Sequence, residues 1–191
     1  YDLPTAVDVG GVRHEIRSDY RAVLDIIAAL QDPTLTKAEQ LNVMLTIFYG
    51  DNRPADLEAA VHKCYWFINC GQPESRANAP KLMDWEQDFQ LVASAINQTA
   101  RTEVRALDYM HWWTFVGYYM NIGDSMFTQV VSIRRKLQRG QKLDKEELAL
   151  MEQDGLTEVV KDHIAGMTDR YAVDIFESLF IPRSWMVVKG E

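Results

Sequence analysis

The densest apolar stretch of the chain is HWWTFVGYYM, which comprises residues 111–120. Its aromatic side chains fall on every side of a helical wheel, and this distribution indicates a deeply buried helix rather than one exposed aromatic face. We expect the helix to begin at Leu107 and to run to about Ile122, where Gly123-Asp124-Ser125 breaks or kinks it. The stretch therefore predicts the central helix of a helical core.

Helical signals continue on both sides of this stretch. Apolar residues recur every three or four positions, and capping residues, glycines and prolines delimit the periodic segments. The predicted helices run from Ser18 or Asp19 to Asp32, from the Thr36-to-Glu39 capping box to Gly50, from about Pro54 to Gly71, from Asp84 onward, from Phe127 to Gly140, from Asp144 onward, and from Leu156 to Phe180. The predicted buried face of the Pro54-to-Gly71 helix carries Leu57, Val61, Cys64, Tyr65 and Ile68.

One strand signal stands at the N-terminus. Residues 6–9 and 12–16 alternate apolar and polar side chains around Gly10-Gly11, a pattern typical of a β-hairpin. The sequence thus predicts a mainly α protein, a compact bundle of about seven or eight helices with a short N-terminal hairpin as an edge element. Residues 1–148 are predicted to form this domain. Residues 149–191 are predicted to form an amphipathic helix and tail that packs on the same domain or on a partner.

Composition limits the class of protein. The chain has 191 residues, of which 20 are Lys or Arg and 28 are Asp or Glu, so its formal net charge is −8. This balance disfavours a protein that coats nucleic acid. The apolar runs are shorter than the 18 to 20 residues, roughly, of a membrane span, and no secretory leader precedes the hairpin. Two cysteines cannot form a disulfide framework, which favours a reducing cytoplasm.

No motif indicates catalysis or cofactor binding. Phosphate-binding loops, dinucleotide fingerprints and nucleophile elbows are absent from the sequence. His62, Cys64 and Cys70 are close in sequence, but on a helix the two cysteines lie about 240° apart, so core residues are favoured over a metal site. His111, beside two tryptophans, is interpreted as a hydrogen-bonded packing residue. We therefore expect a protein with no catalytic, cofactor-binding or metal-ligating residues.

A basic segment lies near the C-terminal end of the predicted domain. Arg134, Arg135, Lys136, Arg139, Lys142 and Lys145 place six cations in twelve residues. The favoured interpretation is a helix C-terminus whose partial negative charge the cations complement. A nucleic-acid site is disfavoured because acidic residues follow at once, and an acidic protein surface is the other possible ligand.

Several stretches together resemble one known family. They are YDLPT at residues 1–5, DYRAVL at 19–24, PKLMDWEQD at 80–88, HWWTF at 111–115 leading through 123–124 to Ile133-Arg134, and GQKLDK at 140–145. In this order they resemble the bacteriophage Gp15-like proteins of Gram-positive siphophages and prophages. The resemblance extends over roughly residues 1–148, and its most specific part runs from HWW to LDK.

The resemblance implies a tail assembly chaperone. Such a protein is not an enzyme; it binds the tape measure protein, the major tail tube protein or both in the host bacterial cytoplasm and prevents premature polymerisation or aggregation. Self-association into a homo-oligomer is compatible with that role. The alternative is a structural component retained in the virion, such as a connector or neck protein. Because residues 156–180 carry more apolar surface than one helical face needs, we predict a partner-binding patch at Ile175, Phe176, Leu179 and Phe180.

Overall fold

The structure is a computed structural model that describes residues 2–72 and 82–153. These residues form a two-stranded antiparallel hairpin, seven α-helices and one short 3-10 helix, Val104–Ala106. The strands are β1 (Ala6–Val9) and β2 (Val12–Glu15). The helices are α1 (Tyr20–Gln31), α2 (Lys37–Tyr49), α3 (Leu57–Ile68), α4 (Trp85–Ala100), α5 (Trp112–Met120), α6 (Met126–Gln138) and α7 (Lys145–Gln153). The mainly α class with an N-terminal hairpin is confirmed.

The described residues divide into two compact units. Unit 1 contains residues 2–72 and 107–117, and unit 2 contains residues 82–106 and 118–153. The chain passes from unit 1 to unit 2 within α5, after Gly117. The predicted division between residues 1–148 and 149–191 stays a prediction, because most of the second segment lies outside the described residues.

The hairpin of unit 1 follows the predicted pattern. Its register pairs Ala6 with Glu15 and Val9 with Val12. Gly10 and Gly11 have φ values of 61° and 81°, a left-handed conformation that glycine adopts without a Cβ clash. The hairpin therefore presents its buried valines, Val7 and Val9, on one face of β1.

Caps place the first three helices where the sequence predicts them, with one change. The Asp19 carboxylate accepts the Arg21 N–H at the start of α1, and Thr36 and Glu39 form the capping box of α2. α3 begins after Asp56, whose carboxylate accepts the Ala59 N–H, rather than near Pro54.

The buried face of α3 matches the prediction in part. Cys64, Tyr65 and Ile68 are buried as predicted, whereas Leu57 is 48% exposed and Val61 is half-buried. Ala60 and Phe67, which the prediction omitted, are fully buried. Apolar spacing thus located the C-terminal part of the buried face, but it failed for Leu57, whose side chain in the first turn of the helix lies largely in solvent.

The aromatic helix α5 is shorter than predicted and only partly buried. It begins at Trp112 instead of Leu107, because the backbone before it pairs with the segment that leads into α1. The Tyr20 N–H donates to the Met110 carbonyl at 2.9 Å, and the Trp112 N–H donates to the Ser18 carbonyl at 2.8 Å. Trp112 and Phe115 are buried, but Met120 is 68% exposed, so burial on every side of the helix was a wrong expectation.

In unit 2, α4 packs against α6. Leu91 of α4 packs against the buried Val130 and Ile133 of α6, and Val92 and Ile96 of α4 are fully buried. A buried ion pair joins the same helices: Arg134 donates through both terminal nitrogens to the Asp88 carboxylate, at 2.6 and 2.9 Å. The pair fixes the register of α4 against α6, since both side chains are fully buried.

Arg101 provides a stability test at the end of α4. Its φ is 55°, a left-handed conformation, and the Thr102 N–H donates to the Asn97 carbonyl in the helix-terminating pattern that favours glycine. Because Arg101 is exposed, replacement by glycine removes the Cβ strain at little cost in packing. We expect Arg101→Gly to raise the free energy of unfolding by about 0.5–1 kcal/mol in urea titrations, and Arg101→Ala, which keeps the Cβ, to leave it nearly unchanged. A stabilisation by alanine equal to that by glycine would contradict this assignment of strain.

Candidate protein-interaction surfaces

The predicted patch at Ile175, Phe176, Leu179 and Phe180 lies outside the described residues, as does the predicted helix from Leu156 to Phe180. The surfaces that follow belong to residues 2–72 and 82–153.

Cys64 is a core residue of α3, as predicted, whereas Cys70 is half-buried in the turn after the helix, so the interpretation of both cysteines as core residues is wrong for Cys70. Cys64 is fully buried, and burial raises the pKa of its thiol; burial also raises the pKa of the Cys70 thiol to about 11. Both are therefore protonated at neutral pH, which is unfavourable for metal binding. Within residues 2–72 and 82–153, no cluster of three or more His, Cys, Asp or Glu side chains is arranged to hold a metal ion.

His111 is a hydrogen-bonded packing residue, as the sequence suggests. Its ring is 3% exposed; Nδ1 accepts the Trp113 N–H at 3.0 Å, and Nε2 lies 2.9 Å from the Pro4 carbonyl. Because Nδ1 accepts, the proton of the neutral ring is on Nε2 and is donated to Pro4. The imidazole thus ties the N-terminal segment to the start of α5, with both nitrogens engaged.

A pH dependence follows from this arrangement. Burial lowers the pKa of His111 below its ordinary value of 6.5, against the smaller opposing effect of the bond to Pro4. The unfolded chain then binds more protons, so the stabilisation is present above pH 6.5 and is lost as the pH falls below it. We expect the free energy of unfolding, measured in urea between pH 7.5 and pH 5.5, to fall less steeply in His111→Gln. The difference in slope is at most about 1.4 kcal/mol per pH unit. Equal slopes would show that His111 does not titrate differently in the two states.

The indole groups of Trp112 and Trp113 donate hydrogen bonds to backbone carbonyls at the end of α3. The Trp112 Nε1–H donates to the Ile68 carbonyl and the Trp113 Nε1–H donates to the Phe67 carbonyl, each at 2.8 Å. Carbonyls in the last turn of a helix lack an intrahelical partner, and the Trp112 indole supplies one to Ile68; the Phe67 carbonyl also accepts the Cys70 N–H at 3.0 Å. Sequence reasoning missed this role, because no local pattern links a Trp-Trp pair to a helix end 44 residues earlier.

The basic segment separates into three parts. Arg134 is buried against Asp88, and Lys136 pairs with Glu147 at 2.5 Å and lies 3.6 Å from Asp144. The remaining cations are exposed and form no ion pair within the described residues; they are Arg135, Arg139, Lys142 and Lys145. Of the six cations of the basic segment, four are thus exposed without an ion pair among the described residues, and we call these four the basic corner.

An exposed apolar surface lies at the turn between α5 and α6. Met120 ends α5 and is 68% exposed, Met126 begins α6 and is 36% exposed, and Ile122 between them is half-buried. We call these three residues the methionine ledge. Sequence reasoning missed the ledge because it interpreted Met120 as part of a buried helix; the signal was two methionines flanking a Gly-Asp-Ser turn.

Aromatic side chains next to the methionine ledge pack against one another. Tyr119 lies between Trp85 and Phe127, with ring centroids 5.6 and 5.8 Å apart, and its hydroxyl donates to the Met83 sulfur at 3.4 Å. Burial raises the pKa of Tyr119 to about 12, so the hydroxyl stays protonated. The residues next to Met120 and Met126 in the sequence, Tyr119 and Phe127, are therefore packed aromatic side chains of unit 2.

Comparison with known proteins identifies the family. The family model described as Bacteriophage Gp15 protein matches residues 1–154. The chain belongs to the bacteriophage Gp15 family. No curated protein and no solved structure matches the chain significantly. Membership of the Gp15 family points to a phage structural or head–tail component.

The Gp15 match contains every helix and strand that the structure describes. Within it, the HWW motif serves packing, through His111 and the two indoles, whereas the methionine ledge and the basic corner are exposed. None of the described helices of this Gp15-family chain is long and apolar enough to span a membrane.

Proposed function

We propose that this Gp15-family protein is a non-enzymatic tail assembly chaperone. It binds the tape measure protein, the major tail tube protein or both in the host bacterial cytoplasm, and it prevents premature polymerisation or aggregation. The observation that carries the proposal is the methionine ledge on a member of a phage family.

The chemistry of the ledge suits reversible capture of an apolar segment. Methionine side chains are unbranched and polarisable, so Met120 and Met126 adapt to partners of different shape. Full burial of one such side chain contributes roughly 1.5–3 kcal/mol, and part of each is already buried, so the ledge provides only a few kcal/mol. Weak capture is what a chaperone requires, because the subunit must leave it when assembly begins.

The test follows tube assembly directly. We would mix the purified tail tube protein of the same phage with this protein at equal stoichiometry and record light scattering, followed by size-exclusion chromatography. We expect delayed scattering and a soluble complex. The tape measure protein would be tested by co-expression and co-purification, with solubility as the readout. Failure to affect either client would overturn the proposal.

Charge placed on the ledge should abolish capture. We expect Met120→Glu/Met126→Glu to lose client binding by at least about tenfold while its unfolding midpoint changes little, because both side chains are at least partly exposed. The matched control is Val12→Glu/Leu57→Glu, which adds the same charge at exposed apolar positions of unit 1. Equal loss in both variants would assign the effect to net charge and not to the ledge.

The presence or absence of the protein in finished virions distinguishes a chaperone from a retained component. Quantitative mass spectrometry of purified virions should show the major tail tube protein and only trace amounts of this chain. A fixed number of copies per virion would contradict the chaperone proposal and favour a connector or neck protein.

A further inference from the structure

The basic corner is a fixed surface of unit 2. After α6, the Gly140 N–H donates to the Leu137 carbonyl and the Gln141 N–H donates to the Lys136 carbonyl, each at 2.9 Å, which sets the direction of the turn. Lys136 forms an ion pair with Glu147 in the first turn of α7. Leu143, in the connection between the two helices, packs against the buried Val130 and Ile133. The four exposed cations therefore lie on the end of α6, the connection after it and the first residue of α7.

Helix stability accounts for only part of this charge. Arg135 and Arg139 lie at the C-terminal end of α6, where cations are favourable. Lys145 is the first residue of α7, directly after the capping residue Asp144, and a cation there opposes the partial positive charge of the helix start. Lys142 lies between the helices with its side chain in solvent. Neither lysine contributes to folding in a way that the structure explains.

The corner also carries an exposed apolar side chain. Leu148 is 49% exposed and lies one turn after Lys145 on the same face of α7. Cations beside an exposed leucine match a peptide that bears both carboxylates and apolar side chains.

We propose that the basic corner binds an acidic, leucine-bearing segment of a partner protein. A nucleic acid fits less well, because a row of phosphates offers no apolar contact to Leu148 and four cations release few counterions. The surface is separate from the methionine ledge, so its test needs no tail protein.

Binding of defined probes tests the proposal on the full chain. We would measure fluorescence anisotropy with a labelled peptide of six Glu-Glu-Leu repeats, the matching Gln-Gln-Leu peptide, and single-stranded and duplex DNA of about the same length. We expect binding of the Glu-Glu-Leu peptide alone, weakening as salt rises from about 50 to about 200 mM.

Charge reversal locates the site. We expect Lys142→Glu/Lys145→Glu to weaken binding of the Glu-Glu-Leu peptide by about tenfold. The control is Lys37→Glu/Arg13→Glu, since Lys37 is also the first residue of a capped helix and Arg13 is also exposed. Equal weakening in both variants would overturn the proposal. Tighter binding of DNA, lost in the Lys142/Lys145 variant, would also overturn it and assign the corner to nucleic acid.

Discussion

Arg134→Met will lower the free energy of unfolding by about 3–5 kcal/mol, because it leaves the Asp88 carboxylate buried without its counter-ion. Arg134 donates two hydrogen bonds to Asp88 and a third to the Leu82 carbonyl at 3.1 Å. Asp88 also accepts the Asp84 N–H at 2.8 Å. The pair therefore links α6, α4 and the segment before α4. Its loss should lower the stability of all of unit 2.

Amide hydrogen exchange shows which helices lose stability in this variant. We expect faster exchange of α4 and α6 amides in Arg134→Met, with the hairpin and α1 of unit 1 less affected. The double variant Asp88→Leu/Arg134→Met removes both charges and should recover much of the stability. A double variant as unstable as the single one would show that shape, and not the uncompensated charge, causes the loss.

The second large effect is expected at Trp112. Its ring is almost fully buried and stacks on Phe115 with centroids 5.8 Å apart, so Trp112→Ala should cost about 3–5 kcal/mol. Trp112→Phe keeps most of the volume but leaves the Ile68 carbonyl without its indole donor, and we expect a cost of about 1–3 kcal/mol. Urea unfolding followed by circular dichroism measures both.

Trp113→Phe is the matched control for the hydrogen bond. Trp113 makes a similar bond to the Phe67 carbonyl, but that carbonyl also accepts the Cys70 N–H at 3.0 Å. The Trp113 side chain is only partly buried as well, so water can replace the lost donor. We expect a smaller cost than for Trp112→Phe. Equal instability of the two phenylalanine variants would show that loss of the bond to the Ile68 carbonyl is not what makes Trp112→Phe costly.

The local elements were predictable because their signals are local. The Gly10-Gly11 turn, the Thr36-to-Glu39 capping box and the Asp144 cap each act within four residues, and each lies where the sequence places it. The family was also accessible from sequence, because ordered motifs extend along most of the chain.

The candidate surfaces were not predictable in the same way. Met120 follows the helical pattern of a buried residue, yet it lies in solvent, while the neighbouring Tyr119 packs against Trp85 and Phe127. The start of α5 was missed for a similar reason, since Met110 and Trp112 bond to residues about 90 positions away.

Sequence by itself determined the hairpin, most helix ends and the family of this protein, because turns, caps and motifs depend on neighbouring residues. Tertiary structure alone decided which side chains meet. Arg134 belongs to a basic run in the sequence, yet it is buried because Asp88, 46 residues earlier, lies opposite it on α4. The same packing exposes the next residue, Arg135, since a helix that buries one face must present the other to solvent.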